Sequence, residues 1–216
     1  MDTQNNHFDQ AAQDWDKKQM RVQLAHAISQ AIGTLPLNRE MKALEYGCGT
    51  GLVGLPLAPR LAHLTAADTS EGMLKTLQEK IKREQISNVT PIHLDLSQET
   101  CADRFDLIFC SMTLHHIEHN QLVLQRFVEM LRPGGLLAVA DLETEDGSFH
   151  SSEVQGVKHH GFDSHQLIHL VTSSGLQKAQ TREVHQIIKK DKAGNSRTFP
   201  IFLLTGEKRP EDSEKI

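Results

Sequence analysis

The chain is poor in cysteine: Cys48, Cys101 and Cys110 are the three in 216 residues, odd in number and nowhere arranged as CxxC. That excludes a disulfide framework or a zinc knuckle as an organising device and points to reduced thiols. An excess of positive charge is also missing. The formal net charge of −5 offers a phosphate backbone no basic face, so no nucleic-acid partner is expected, and Lys17-Lys18 and Lys189-Lys190 read as solvated surface. No apolar run is long enough to span a bilayer, so no membrane partner is expected either. The stretch MDTQNNHFDQ lacks the charged-then-apolar layout of a signal peptide, which makes a cytoplasmic location the expectation. There is no internal repeat.

What is present is an ordinary globular composition, 38% hydrophobic and 24% charged, in a length that suits one domain with a sizeable core. Strand-length apolar runs at 43–46, 61–67, 89–94, 105–111, 136–141, 183–189 and 199–205 alternate with helical patterns. Ser70 precedes an amphipathic helix over 71–83, with Met73, Leu74, Leu77 and Ile81 on one face. Asn120 precedes another, which Pro133-Gly134-Gly135 should end before the next strand. Asp163 with Gln166 marks the start of a third over 164–173, closed by Gly175. Such alternation implies a parallel sheet with helices on both faces. The last two strands are too close for a crossover helix, and Gly194-Asn195 supplies turn chemistry, so they should form a hairpin.

The expected fold is therefore α/β: a Rossmann-like, seven-stranded, mostly parallel sheet with one antiparallel strand. An N-terminal helical cap is expected over 1–36 and the main domain over 37–207, with a polar, aperiodic lid at 142–162 and a disordered tail at 208–216.

In ALEYGCGTGLVGL, residues 43–55, Gly47, Gly49, Gly51 and Gly54 fall within eight positions between two apolar runs. A strand, a glycine-rich turn and a helix start would aim backbone N–H groups and a helix dipole at a ligand beyond the sheet's carboxyl edge. Two ligand classes compete. Gly49-Thr50-Gly51-Leu52-Val53-Gly54 satisfies G-x-G-x-x-G, and Asp68 follows about 20 residues later, as in an NAD(P)-dependent oxidoreductase. Glu45 before the first glycine would repel a diphosphate and attract an ammonium group, which favours a nucleoside carrying an amino acid.

The sequence resembles the class I methyltransferases that use S-adenosylmethionine, small-molecule type. Glu45-Tyr46-Gly47-Cys48-Gly49-Thr50-Gly51 looks like the family's first motif, Asp68 like the acid ending the second strand, and LDL at 94–96 like the adenine-contacting position. FDLIFCSMTLHHI and LRPGGLLAVADLE look like the fourth-strand exit and the start of the fifth, and FDQAAQDWD resembles the opening segment of ubiquinone and menaquinone methyltransferase-like members. The resemblance implies that Asp68 binds the ribose hydroxyls and Asp95, beside Leu96, the adenine amino group. It implies that Glu45, Gly47 and Gly49 hold the methionine end, with Cys48 and Gly51 in the same loop and Ser111 near it. Thr69 and Met73 would line the adenine edge. Small size and core packing explain Cys48 and Met73 equally well.

Thirteen histidines are many, and eight lie between His115 and His169. A neutral imidazole suits removal of a proton from a methyl acceptor. His115 and His116 follow the fourth strand at its carboxyl end, and His159 and His160 end the lid, which makes these four the catalytic candidates. His119, His150, His165 and His169 read as surface. His115/His119 and His165/His169 have i, i+4 spacing, but there is no HExxH and nothing obvious completes either pair, so no metal is expected. Phe8 and Trp15 would either close a cap over the cofactor or anchor the N-terminal helix. Ser111-Met112-Thr113-Leu114 stands where an Asn/Asp-Pro-Pro-aromatic tetrad would mark amino methylation of bases, which argues against that substrate. The function expected is methyl transfer to a small-molecule acceptor. The alternatives are the oxidoreductase and a catalytically inactive cofactor-binding module that acts through a partner.

Overall fold

A computed structural model describes residues 3–150, 156–190 and 195–210. Its sheet contains β1 (Lys42–Tyr46), β2 (His63–Asp68), β3 (Val89–His93), β4 (Phe105–Ser111), β5 (Leu131–Leu142), β6 (Leu176–Lys190) and β7 (Ser196–Lys208). Their spatial order is β3-β2-β1-β4-β5-β7-β6. Only β7 runs against its neighbours, so the sheet is mostly parallel with one antiparallel strand, as the sequence implied. The chain steps outward from β1 through β2 to β3, then returns to lay β4 on the other side of β1. That reversal opens a crevice at the carboxyl ends of β1 and β4.

Alternate residues of the central strands feed two cores. Ala43, Leu107, Phe109 and Ala138 pack with Ile28 and Ile32 of α2 (Gln19–Ile32) and Leu74 and Leu77 of α4 (Glu71–Arg83). On the other face, Leu44, Ile108, Leu137 and Val139 pack with Phe127 of α5 (Asn120–Met130) and Val171 of α6 (Ser164–Ser173). Burial on both faces is why these strands read as nearly continuous apolar runs. Two expected caps are in place: Ser70 Oγ accepts from Met73 N at 3.1 Å, and Asp163 Oδ1 accepts from His165 N and Gln166 N at 3.0 and 3.1 Å. Among the described residues, no helix is long and apolar enough to cross a membrane.

Four boundaries differ from expectation. The helix after the glycine loop, α3 (Gly54–Leu57), is a single turn before a 3-10 turn over Ala58–Arg60, because Pro59 cannot donate a helical hydrogen bond. Asn120 begins α5 rather than capping it, and β5 starts at Leu131, so Pro133-Gly134-Gly135 lies within the strand. Pairing jumps there from Phe105↔Leu131 to Leu107↔Leu136. β6 begins at Leu176, well before 183, since a largely exposed edge strand needs few apolar residues.

The expected cap contains α1 (Thr3–Ala11), a 3-10 turn over Ala12–Lys17, and α2. Of the expected lid, Leu142 belongs to β5 and 151–155 fall outside the described residues. The remainder is stitched to its surroundings. Glu143 N donates to Pro200 O, Thr144 N to Phe162 O, and both Lys158 N and His159 N to His115 O. Gly194 of the hairpin turn and 211–216 of the expected tail also lie outside the described residues, and β7 runs through Lys208.

Candidate active site

The glycine loop turns tightly over the end of β2: Gly47 N and Cys48 N both donate to Ala67 O, at 2.8 and 2.9 Å. Three of its glycines are filled from within the protein. A Cβ on Gly47 would strike the Thr113 side chain, one on Gly51 would lie 2.6 Å from Leu77 Cδ1, and one on Gly54 would run into Glu45 Oε2. Gly49 differs: its φ is +51°, and nothing lies within 4 Å of where its Cβ would be. The main chain there faces open space at the crevice. With α3 only one turn long, and with the N–H groups of Gly47, Cys48, Gly49 and Gly51 bonded within the protein, the crevice owes its polarity to the flanking acids rather than to a helix dipole. Cys48 points inward, 5% exposed, and burial pushes its thiol well above the usual range. It is packing, not a reactive group.

Two acids flank the loop. Asp68, at the end of β2, accepts from Gly49 N at 2.7 Å and from Ser70 N at 2.9 Å, and the Thr69 N–H also acts on its carboxylate. Burial raises its pKa, and those backbone donors oppose the rise. Glu45 is 1% exposed, and its Oε2 is the buried side-chain oxygen without a hydrogen-bond partner among the described residues. Burial first, then the charge of Asp68, drives its pKa well above the carboxylate range. A buried acid oxygen without a partner is electrostatically incomplete, and a cation would complete it.

The remaining expected cofactor residues divide into accessible and buried. Thr69 and Ser111 are partly exposed at the ends of β2 and β4, and Asp95 is partly exposed with Oδ1 accepting from Ser97 N and Ser97 Oγ. Leu96 is fully buried and its N–H donates to Tyr46 Oη at 3.0 Å. Met73 is 2% exposed. Leu96 and Met73 therefore present core side chains rather than a ligand surface.

The N-terminal cap closes onto this edge through two aspartates. Asp9 Oδ1 accepts from Ser70 Oγ at 2.6 Å and from Gly72 N at 2.8 Å, and the helix backbone approaches so closely that a Cβ on Gly72 would lie 2.7 Å from Asp9 Cα. Asp16 accepts from Thr50 Oγ1 at 2.6 Å and pairs with Lys80, whose Nζ also donates to Thr50 O. Phe8 contacts Trp15 and stands edge-on to His116, with ring centroids 5.8 and 5.2 Å apart, and Arg21 lies over Trp15.

On the other side of the crevice, β4 ends with Met112 at φ +51°, a conformation that costs a side-chain-bearing residue free energy and turns the chain sharply. A 3-10 turn over Leu114–His116 follows. His115 is 1% exposed, and its Nδ1–H donates to Asp141 Oδ1 at 2.6 Å, which places the imidazole lone pair on Nε2. Nε2 lies 3.1 Å from His150 Nε2, and the Nδ1–H of His116 donates to Gly156 O at 3.1 Å. Burial, then neighbouring His115, lowers His116 to about 4 and His150 to about 3, so both are neutral at pH 7.

The lid histidines divide otherwise than expected. His160 is 62% exposed and faces Glu145, 3.5 Å away. His159 Nε2 is engaged by Ile117 O and Asn120 Nδ2, both at 2.9 Å. His150, which read as surface, enters the cluster instead, because its neighbour Phe149 is buried against Phe199 and fixes that end of the connection. His119, His165 and His169 are exposed. Sequence reasoning also passed over Asp141; its signal is an acid closing the apolar run LLAVA at the carboxyl end of a central strand.

Residues 43–135 match the family model described as a methyltransferase domain. That segment, running from β1 into β5, is similar to methyltransferase domains. An uncharacterized methyltransferase of Schizosaccharomyces pombe is 32% identical over 155 residues, which is 65% of this chain and 55% of that protein. A demethylmenaquinone methyltransferase of Listeria welshimeri is 32% identical over 115 residues, 50% of this chain and 49% of its own length. The chain thus spans about half the length of these curated relatives. In fold, that segment and its flanking elements superpose on DhpI in complex with SAH with a TM-score of 0.74, covering 96% of each chain at 18% identity.

Proposed function

We propose that the chain binds S-adenosylmethionine across the carboxyl ends of β1 and β2 and transfers its methyl group to a small-molecule acceptor beside His115 and His116. The observation that carries this is the open flank of Gly49, in a loop bordered by a buried Glu45 whose Oε2 has no hydrogen-bond partner and by the Asp68 carboxylate that accepts from Gly49 N. These features suit a ligand that is positive at one end and rich in hydroxyls at the other. A dinucleotide would bring a diphosphate against the same two carboxylates, which disfavours the oxidoreductase reading. The resemblance of 94–96 to the adenine position assigns Asp95, and Thr69 and Ser111 border the same crevice.

When bound, the sulfonium supplies an electrophilic methyl group. The protein's share is alignment, exclusion of water and proton handling. Asp68 uses its remaining lone pairs for the ribose hydroxyls, and the charge of Glu45 faces the ammonium group. The two aspartate latches hold the N-terminal cap over the loop, and Phe8 closes the gap toward His116. His115, oriented by Asp141, offers Nε2 to a proton leaving the acceptor. A small acceptor fits a chain without a basic groove, and the name of the Listeria relative, a demethylmenaquinone methyltransferase, supports that class.

Calorimetry with S-adenosylhomocysteine and with NAD tests the reading. Wild type should bind the former and release no heat with the latter, and Asp68→Ala should weaken binding about a hundredfold, the loss of two charge-assisted hydrogen bonds. Heat with NAD alone would overturn it. Cofactor binding without turnover across a panel of hydroxyl, thiol and amine acceptors would favour the inactive module.

A further inference from the structure

We propose that His115, His116 and His150 form a binding site for one divalent transition-metal ion of the zinc type. One ring nitrogen from each lies within 4.8 Å of the others, a spacing that three imidazoles adopt around a shared ion after small side-chain movements. The supports behind the rings matter more than proximity. A metal-binding histidine donates its second ring N–H to a carboxylate or a backbone carbonyl, which fixes the tautomer and aims the lone pair. His115 does so to Asp141 at 2.6 Å and His116 to Gly156 O at 3.1 Å. Asp141 is itself buried and braced, since its Oδ1 also accepts from Leu142 N at 2.8 Å.

His115 and His150 face each other Nε2 to Nε2 at 3.1 Å. Without an ion, one must donate to the other; with one, both lone pairs converge on the same point. Lys189, held at Phe149 O, adds an opposing positive charge, which the Asp141 carboxylate offsets. Three nitrogens leave a fourth position for water or an acceptor atom, the arrangement of open zinc sites. In that use, which rests on the acceptor reading above and takes the place of proton transfer to His115, a hydroxyl or thiol bound there would lose its proton to solvent and meet the methyl donor as an anion. Ion binding itself does not depend on methyl transfer.

The test uses the full chain without an affinity tag, stripped with chelator and titrated with cobalt(II) and zinc(II). One equivalent should bind, cobalt giving the intense visible absorption of a four-coordinate ion, and His150→Ala and His116→Ala should each weaken zinc by about tenfold or more. The double variant His165→Ala/His169→Ala should bind as wild type does. Absence of the cobalt band with no zinc retained, wild-type binding in His150→Ala, or loss in the α6 double variant would each overturn the site. Should His116→Ala fail to fold, the partly exposed His150 decides alone. S-adenosylhomocysteine calorimetry on stripped and zinc-loaded wild type is read separately, so a failed metal site and a failed cofactor reading remain distinguishable.

Discussion

The two banks of the crevice are built from different materials. On the β1/β2 side the shape is set by main chain: Gly47 and Cys48 hang from Ala67 O, Gly49 N rests on Asp68, and every participant lies between residues 45 and 70. On the β4/β5 side it is set by side chains from separate elements, with His115 after β4, Asp141 at the end of β5, and His150 and Gly156 in the connection beyond. A backbone cradle tolerates little change at its own positions but holds one chemistry. A side-chain cluster can be rebuilt residue by residue, so its chemistry can vary on one fold.

The sharpest way to break this contrast is to add one methyl group at two glycines only two residues apart. Gly47→Ala forces a positive-φ alanine into Thr113, combining left-handed strain with overpacking, and should cost about 3–4 kcal/mol. In a chain of this length that lowers the melting temperature by about 6–16 °C. Gly49→Ala pays only the conformational part, about 1–2 kcal/mol, yet projects its methyl group into the open flank and should abolish binding of S-adenosylhomocysteine. Thermal melts and calorimetry on both variants check it. Equal destabilisation would mean that the flank of Gly49 is not open.

The same contrast decides how much was legible beforehand. The glycine loop, Asp68 and the spans of α4 and α6 could be read because their determinants are local: a cap, an apolar stripe, a turn that requires particular residues. The acceptor bank could not. Consecutive histidines at 159 and 160 drew attention to one end of the connection, whereas burial of Phe149 against Phe199 brings His150, at the other end, to His115. That contact depends on β7 lying beside β5 and β6, which no local pattern states. Likewise the polar start of β6 hid a strand, since only its pairing with β7 makes it one.

On the side-chain bank, Asp141→Asn should be the most damaging single change. It replaces a buried acceptor of three N–H groups by an amide that must turn its own donor toward one of them, a loss of about 2–3 kcal/mol. Denaturant unfolding measures it; a loss below 1 kcal/mol would show that Asp141 does not brace His115.

A smaller effect tests the charge on the backbone bank. The pKa of Glu45 is raised in the fold, so its contribution to stability is complete below the unfolded value near 4.5 and is lost as pH rises toward the folded value. Within that interval stability should fall as pH rises. Glu45→Gln removes this slope, so the cofactor-free variant should gain on wild type in melts run from pH 5 to pH 8, while binding S-adenosylhomocysteine more weakly. A variant that follows the wild-type pH profile would place the proton elsewhere.

The smallest effect concerns the latch that joins the cap to the loop. Asp16→Ala removes the bond from Thr50 Oγ1 and the ion pair with Lys80, but Lys80 keeps its bond to Thr50 O and Asp9 still holds the start of α4. A partly exposed pair of this kind contributes about 1 kcal/mol, so the melting temperature should drop by only about 2–4 °C. If the cap's task is to shut the cofactor in, dissociation of S-adenosylhomocysteine should quicken more than its association slows, because the lost contact acts after the ligand has entered. Stopped-flow measurement separates the two rates. An unchanged dissociation rate would mean that the Asp16 latch merely rests the 3-10 turn on the loop without shutting the cofactor in.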